Sequence, residues 1–238
     1  CMIEAKTPII RQYWQSVNEL KTLRPQTRIA LCGDHVTALP EETMRKCKTD
    51  FVFTGGDFDF TFVSMLQWLS QSGHKPDTMP PGVYFRDNGS IRNTGGFQLS
   101  HELDSLPIIN RDLTRWQLYS TENGNYRYTP GTYTMFGRDC WWGKCTFCAW
   151  TTLYNKWRAK SPAGALDEIG HIVNNYPVKE IFDDTGCFPA GHWLKEFCNG
   201  MIERGYNKKV VMGCNMIPGV LSGELYELMA KANFRFLL

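Results

Sequence analysis

The sequence predicts an α/β protein, a partial open parallel-sheet domain followed by the first half of a parallel β/α barrel. Three observations predict it. Helix and strand patterns alternate over residues 9–70 with short glycine-bearing links. A second run from Thr132 has the order strand, loop, helix, strand, helix, strand, helix, strand. The stretch between them is rich in Pro, Gly, Asn and Asp and reads as a connector. The expected organisation is residues 1–72, a connector over 73–130, and residues 131–238.

Ile9, Tyr13, Trp14, Val17 and Leu20 fall at helical spacing. Arg28 to Leu31 reads as a strand, followed by Cys32-Gly33-Asp34-His35. Pro40 opens a helix to about Cys47, with Glu41 and Glu42 in the first turn, where the positive dipole end favours acids. Asp50 to Thr54 is a strand ending at Gly55-Gly56, and Phe62 to Leu69 a helix. Val83 to Ile91 reads as a hairpin turning at Asp87-Asn88-Gly89. In the second run, strands are expected at Thr132 to Phe136, Val178 to Phe182, Lys209 to Met212 and from Phe234. Helices are expected from Ser161-Pro162 to Asn175, from Trp193 to Glu203 with Gly205 beyond its end, and from Ser222 to Ala232.

Length and composition bound the function. The 238 residues suffice for one large domain or for one small domain and part of another. A net charge of +2 gives no electrostatic footprint for nucleic acid. Apolar runs are too short to span a bilayer, and no secretory leader is visible. The chain opens on Cys1 and closes on Phe234-Arg-Phe-Leu-Leu238, a strand just beginning, so a piece of a longer protein is expected.

The cysteines carry the chemistry. There are nine, at positions 1, 32, 47, 140, 145, 148, 187, 198 and 214, an odd number that argues against a secreted disulfide scaffold. The dispersed ones read as small buried hydrophobes. Three crowd into Gly137-Arg-Asp-Cys140-Trp-Trp-Gly-Lys-Cys145-Thr-Phe-Cys148, directly after an expected strand. Three thiolates on one loop suit an iron–sulfur cube and leave one iron without a protein ligand. In β/α barrels reactive groups sit where strands end.

This loop resembles that of the radical S-adenosylmethionine superfamily, whose usual spacing is C-x3-C-x2-C with an aromatic residue before the last Cys. Phe147 holds that aromatic position, and the first gap here is one residue longer. The resemblance implies that Cys140, Cys145 and Cys148 hold a 4Fe–4S cluster whose free iron binds S-adenosylmethionine. One electron then cleaves the sulfonium C–S bond to give a 5′-deoxyadenosyl radical or its organometallic equivalent. It further implies an external one-electron donor such as flavodoxin or ferredoxin, a small-molecule or peptide substrate, and a cytoplasmic location. Glu180-Ile-Phe-Asp183-Asp184-Thr185 resembles the variant of the cofactor-binding loop found in the cobalamin-linked branch, so Asp184 or Thr185 is expected to meet the amino group of S-adenosylmethionine. The alternative is that Asp183 and Asp184 cap a turn.

Residues 24–70 resemble the rear part of a cobalamin-binding domain, and Leu106-Pro107 with Arg111-Asp112-Leu113 resembles the linker of such enzymes. The implied cobalamin contacts are Gly33, Gly55 and Gly56, because ligands of open α/β sheets lie at the strand ends; the alternative is that these are turn glycines. His35 is not assigned to cobalt. Arg158, Asn215, His171 and His192 are secondary candidates, each with a plain structural alternative. Three functions stay open. One is a cobalamin-dependent radical enzyme, with methyl transfer the implied reaction. Another is a radical enzyme whose front domain binds no cobalamin. The last is a zinc-stabilised binding module.

Overall fold

A computed structural model describes residues 1–71, 78–122, 124–154 and 156–238. The expected boundary at residues 72 and 73 lies outside the described residues, as does Asn155. The chain forms two compact units, Cys1–His101 with Thr146–Tyr154, and Glu102–Cys145 with Asn155–Leu238.

The first unit is built on a five-stranded sheet in sequential order. Strands β1 (Met2–Glu4), β2 (Ala30–Cys32) and β3 (Phe51–Phe53) are parallel. Strands β4 (Val83–Asp87) and β5 (Ser90–Asn93) form the expected hairpin, which extends the sheet antiparallel to β3. Its turn residues Asn88 and Gly89 both have positive φ, as a tight two-residue hairpin turn requires. Helices α1 (Ile10–Leu23), α2 (Asp34–Ala38) and α3 (Pro40–Lys46) follow the first two strands. Helix α4 (Phe58–Ser70) follows the third. Because β2 and β3 are covered on both faces, their side chains are apolar throughout and split between two cores. Val17, Leu31, Val36 and Val52 belong to one, and Phe53, Met65, Trp68 and Phe85 to the other. Strand β1 was not expected: three residues beginning Met-Ile-Glu carry little pattern of their own.

The second unit holds a four-stranded parallel sheet, β6 (Gly131–Thr134), β9 (Glu180–Asp183), β10 (Val211–Cys214) and β11 (Phe234–Leu237), also in sequential order. Helices α6 (Pro162–Asn175), α7 (His192–Glu203) and α8 (Gly223–Lys231) connect them. Ser161 and Ser222 cap α6 and α8 through their side chains, as expected. The core between helices and sheet is dominated by Phe136, Ile169, Ile181, Phe188, Phe197 and Met212. Strands β9 and β10 lie about two residues later than the apolar pattern suggests. Polar Glu180 and Asp183 belong to the ladder because both are buried and fully bonded. Glu180 accepts from the Arg127 and Tyr128 amides at 2.8 Å each and from Arg235.

A buried ion triad ties the segment before β6 to this unit. Arg111 donates to Glu168 (3.2 Å), to the Thr132 hydroxyl (3.2 Å) and to the Tyr133 carbonyl (2.9 Å). Lys160 donates to the other Glu168 oxygen at 2.7 Å. All three side chains are buried. Removing the shared carboxylate strands two cations in a low-dielectric interior. Glu168→Ala is therefore expected to cost roughly 3–5 kcal/mol in urea unfolding, and a loss below about 1 kcal/mol, the range of exposed pairs, would refute this reading.

Candidate metal centre

The cysteine loop is closed at its base by a short antiparallel ribbon, β7 (Gly137–Arg138) against β8 (Arg158–Ala159). The ribbon was not foreseen, because two-residue strands leave no periodic signal. Arg158, considered as a cofactor contact, is half-buried in it.

Buried polar groups hold both ends of this loop. Asp183, fully buried at the end of β9, accepts from the Thr134 hydroxyl (2.9 Å), the Phe136 amide (2.9 Å) and the Thr185 amide (3.1 Å). The Thr185 hydroxyl accepts the Gly137 amide at 2.9 Å. The chain leaving β6 is thus fixed as it turns into β7. At the other end Lys160 donates its amide to the Phe136 carbonyl (2.7 Å), and its own carbonyl accepts from the Trp193 indole (2.7 Å). Gly137 is needed here, since a Cβ would run into the Trp157 ring.

Between these anchors the loop is open. Cys140, Cys145 and Cys148 are half-buried, and Cys148 precedes a short helix, α5 (Ala149–Leu153). Phe147 is 89% exposed. A Cβ on Gly143 would meet only the Cys140 carbonyl, at 3.8 Å. The Trp141 indole donates to the Phe188 carbonyl at 2.9 Å, and Lys144 lies over the Trp142 ring at 4.7 Å. The dispersed cysteines behave otherwise. Burial pushes Cys32 and Cys198 up to about 12 and raises Cys47 and Cys214, as expected of inert interior thiols. Cys187 is buried as well, and burial pushes its thiol up to about 11.

The three loop thiols suit an iron–sulfur cluster by chemistry and spacing; all three are half-buried, and Cys140 packs against the edge of the core. Among the described residues, no three Cys, His, Asp or Glu side chains are gathered as metal ligands. Nine residues of chain hold all three sulfurs, so a cluster bound there would itself order the loop.

The structure separates the other expected contacts. Asp184 presents an exposed carboxylate at the end of β9, whereas Thr185 is fully buried with its hydroxyl bonded to Gly137. The Asn215 side-chain amide donates to the Thr185 carbonyl at 3.0 Å and to Asp184 at 3.4 Å, linking the loops after β9 and β10. Asp183 is the turn-capping residue of the pair. His171 bonds Asn175, His192 faces Glu196, and His35 is buried against Thr7 and Trp14.

In the first unit, Gly33 and Gly55 both have positive φ, but the clearance they provide is used by the chain itself. A Cβ at Gly33 would lie 2.8 Å from the Ala5 carbonyl oxygen, and one at Gly55 would lie 2.7 Å from the Phe97 ring. A Cβ at Gly56 would lie 3.7 Å from the Tyr154 ring, an ordinary contact, and the Tyr154 hydroxyl bonds Asp34 at 2.5 Å. One further pair was missed from sequence: His101 bonds the buried Asp57 at 2.8 Å and stacks on Phe60.

Burial raises the Asp183 carboxyl above its ordinary value of 3.8, against the opposing effect of the hydrogen bonds it accepts. A carboxyl that keeps its proton longer in the folded chain adds stability below the ordinary value and loses it as pH rises through the folded one. Wild-type stability relative to Asp183→Asn is therefore expected to fall as pH rises from about 3.8. A difference that grows with pH in parallel unfolding curves would contradict this.

No protein-family model matches the chain. It is 27% identical over 186 residues to an uncharacterised methyltransferase of Pyrococcus horikoshii, PH0819, covering 77% of this chain and 39% of that protein. It is 23% identical over 222 residues to the anaerobic magnesium-protoporphyrin IX monomethyl ester cyclase of Cereibacter sphaeroides, covering 89% and 34%. The chain thus spans little more than a third of these relatives. Among solved structures it is similar to the radical S-adenosylmethionine methyltransferase TsrM from Kitasatospora setae, solved with cobalamin and a [4Fe–4S] cluster. There the TM-score is 0.71 at 12% identity, over 99% of this chain and 47% of that one. It is also similar to OxsB, a cobalamin-dependent S-adenosylmethionine radical enzyme, with a TM-score of 0.57 at 15% identity, over 92% and 34%. The chain has the mixed α/β fold, with parallel sheets, of the cobalamin-linked radical S-adenosylmethionine enzymes.

Proposed function

We propose that the chain is part of a radical S-adenosylmethionine enzyme of methyltransferase kind, in which Cys140, Cys145 and Cys148 hold a 4Fe–4S cluster. The observation that carries this reading is a loop of three half-buried thiols hung between fixed points directly after the first strand of a parallel four-stranded sheet. That sheet, with its helices in alternation, is taken as the first half of a β/α barrel. When bound, the cluster and S-adenosylmethionine supply the electron transfer and C–S cleavage that start radical chemistry.

The chain's own residues have definite tasks in this reading. Cys140, Cys145 and Cys148 would hold the cluster by three thiolates, which leaves it short of a fourth protein ligand. Asp184 accepts from the cofactor's ammonium group, with Asn215 holding the carboxylate in place. Phe147 offers an exposed aromatic face beside the last ligand. Asp183 and Thr185 hold the loop's base and touch no cofactor. The substrate is taken to be a small molecule or peptide, the electron donor a flavodoxin or ferredoxin, and the setting the cytoplasm. No helix among the described residues is long and apolar enough to cross a membrane.

On the front unit there are two readings. Kinship of fold with TsrM and OxsB favours cobalamin bound near Gly33, Gly55 and Gly56, and methyl transfer as the reaction. The packing of Ala5 over Gly33 and of Phe97 over Gly55 favours a front unit that carries no cobalamin. Anaerobic reconstitution with iron and sulfide, then gel filtration with hydroxocobalamin, separates them. About four iron and four sulfide per chain are expected without zinc, and are lost in Cys145→Ala. A corrin spectrum that co-elutes supports the first reading and its absence the second. Zinc in place of iron would overturn both and leave a zinc-stabilised binding module.

A further inference from the structure

Helix α5, which begins directly after Cys148, is too short to hold itself. Its five residues fall well below the length at which a helix is stable alone, and none of them is buried. Bonds at both ends hold it. At the start, the Thr151 hydroxyl donates to the Cys148 carbonyl at 3.0 Å, which ties the last cysteine of the loop to the first turn. At the end, the Tyr154 amide donates to the Trp150 carbonyl at 3.0 Å, so Tyr154 moves with the helix. The Tyr154 hydroxyl in turn donates to the Asp34 carboxylate at 2.5 Å, the length of a charge-assisted bond. Asp34 opens α2 just after β2, and Lys6, paired with Glu4 at 2.6 Å, stands 3.8 Å from its other oxygen. The Tyr154 ring lies beside Gly56, just after β3. All of these residues belong to the first unit.

We propose that Tyr154, through its bond to Asp34, is the positioning residue for Cys148. The proposal rests on the reading of Cys148 as a cluster ligand. Tyr154 is not itself a ligand; it acts through α5. With both ends tied, the helix presents the Cys148 sulfur at a fixed place relative to the ends of β2 and β3. Without the hydroxyl bond, a helix that buries no residue has a weak hold on the sheet, and the Cys148 sulfur ranges more widely. A ligand that must be ordered at each assembly binds iron more weakly, because the entropy lost in ordering it opposes the bond. Residues that orient a ligand from outside the coordination sphere typically contribute roughly 10–100-fold in metal affinity. A tyrosine acting from the other end of a helix belongs at the lower end of that range.

The test uses the full chain with and without iron. Tyr154→Phe keeps the ring beside Gly56 and removes only the hydroxyl. Reconstituted anaerobically with iron and sulfide, this variant is expected to lose iron to bathophenanthroline roughly tenfold faster than wild type. Asp34→Ala should also lose it faster, and the double variant should be no faster than Asp34→Ala alone, because both substitutions remove the same bond. Equal rates in wild type and Tyr154→Phe, or a double variant whose acceleration is the product of the two, would overturn the proposal. In the iron-free, reduced protein, alkylation by iodoacetamide is followed residue by residue by mass spectrometry. Tyr154→Phe should react several-fold faster at Cys148 and at an unchanged rate at the buried Cys32 and Cys198. An unchanged rate at Cys148, or equal acceleration at Cys32 and Cys198, which marks general loosening, would overturn it as well. If the wild type takes up no iron while Cys148 alone is released in Tyr154→Phe, the cluster reading falls and the placement of Cys148 by Tyr154 stands.

Discussion

The structure of the candidate site depends on one buried carboxylate. Asp183 ends β9 inside the protein and gathers the Thr134 hydroxyl and the Phe136 and Thr185 amides. A buried carboxylate is costly unless its hydrogen bonds are met, so each donor that meets them has little freedom to leave. Those donors belong to β6, to the turn beyond it and to the loop after β9. The network therefore sets where the chain exits β6 and where the cysteine loop starts. Thr185 extends it by one bond to Gly137.

The far end of the loop is held by a different device. Lys160 joins the ribbon to Phe136 through its backbone and to Glu168 through its ammonium, and Glu168 also neutralises Arg111. Two costly polar clusters thus frame the cysteine segment. This arrangement suits a metal-assembling loop, whose conformation is completed by the bonds to the inorganic centre rather than before them.

Much of this was legible in the sequence because it obeys local rules. The Ser161-Pro162 and Ser222 starts, the Asn88-Gly89 turn and the apolar strands β2 and β3 appear where capping, turn and periodicity arguments place them. The cysteine cluster was legible because three thiols in nine residues have few other physical reasons to exist. What escaped were features made by tertiary contact. The ribbon is too short to show a period. The Arg111–Lys160–Glu168 triad joins residues 57 and 8 positions apart along the chain. The glycines show the same limit: the chain pattern marks Gly33 and Gly55 as turn points, while the neighbours that pack where a Cβ would stand, Ala5 and Phe97, are set by tertiary contact. Asp184 and Thr185, adjacent in sequence, part company because only one of them points out of the fold.

The central claim is that three loop thiolates bind a cube and leave one of its irons open to S-adenosylmethionine. The most direct measurement is Mössbauer spectroscopy of the protein reconstituted with ⁵⁷Fe, with and without that molecule. The account predicts a cubane spectrum in which about one quarter of the iron changes environment when S-adenosylmethionine is added, as a single non-thiolate site requires. A spectrum of mononuclear iron, or a cluster wholly indifferent to S-adenosylmethionine, would contradict it.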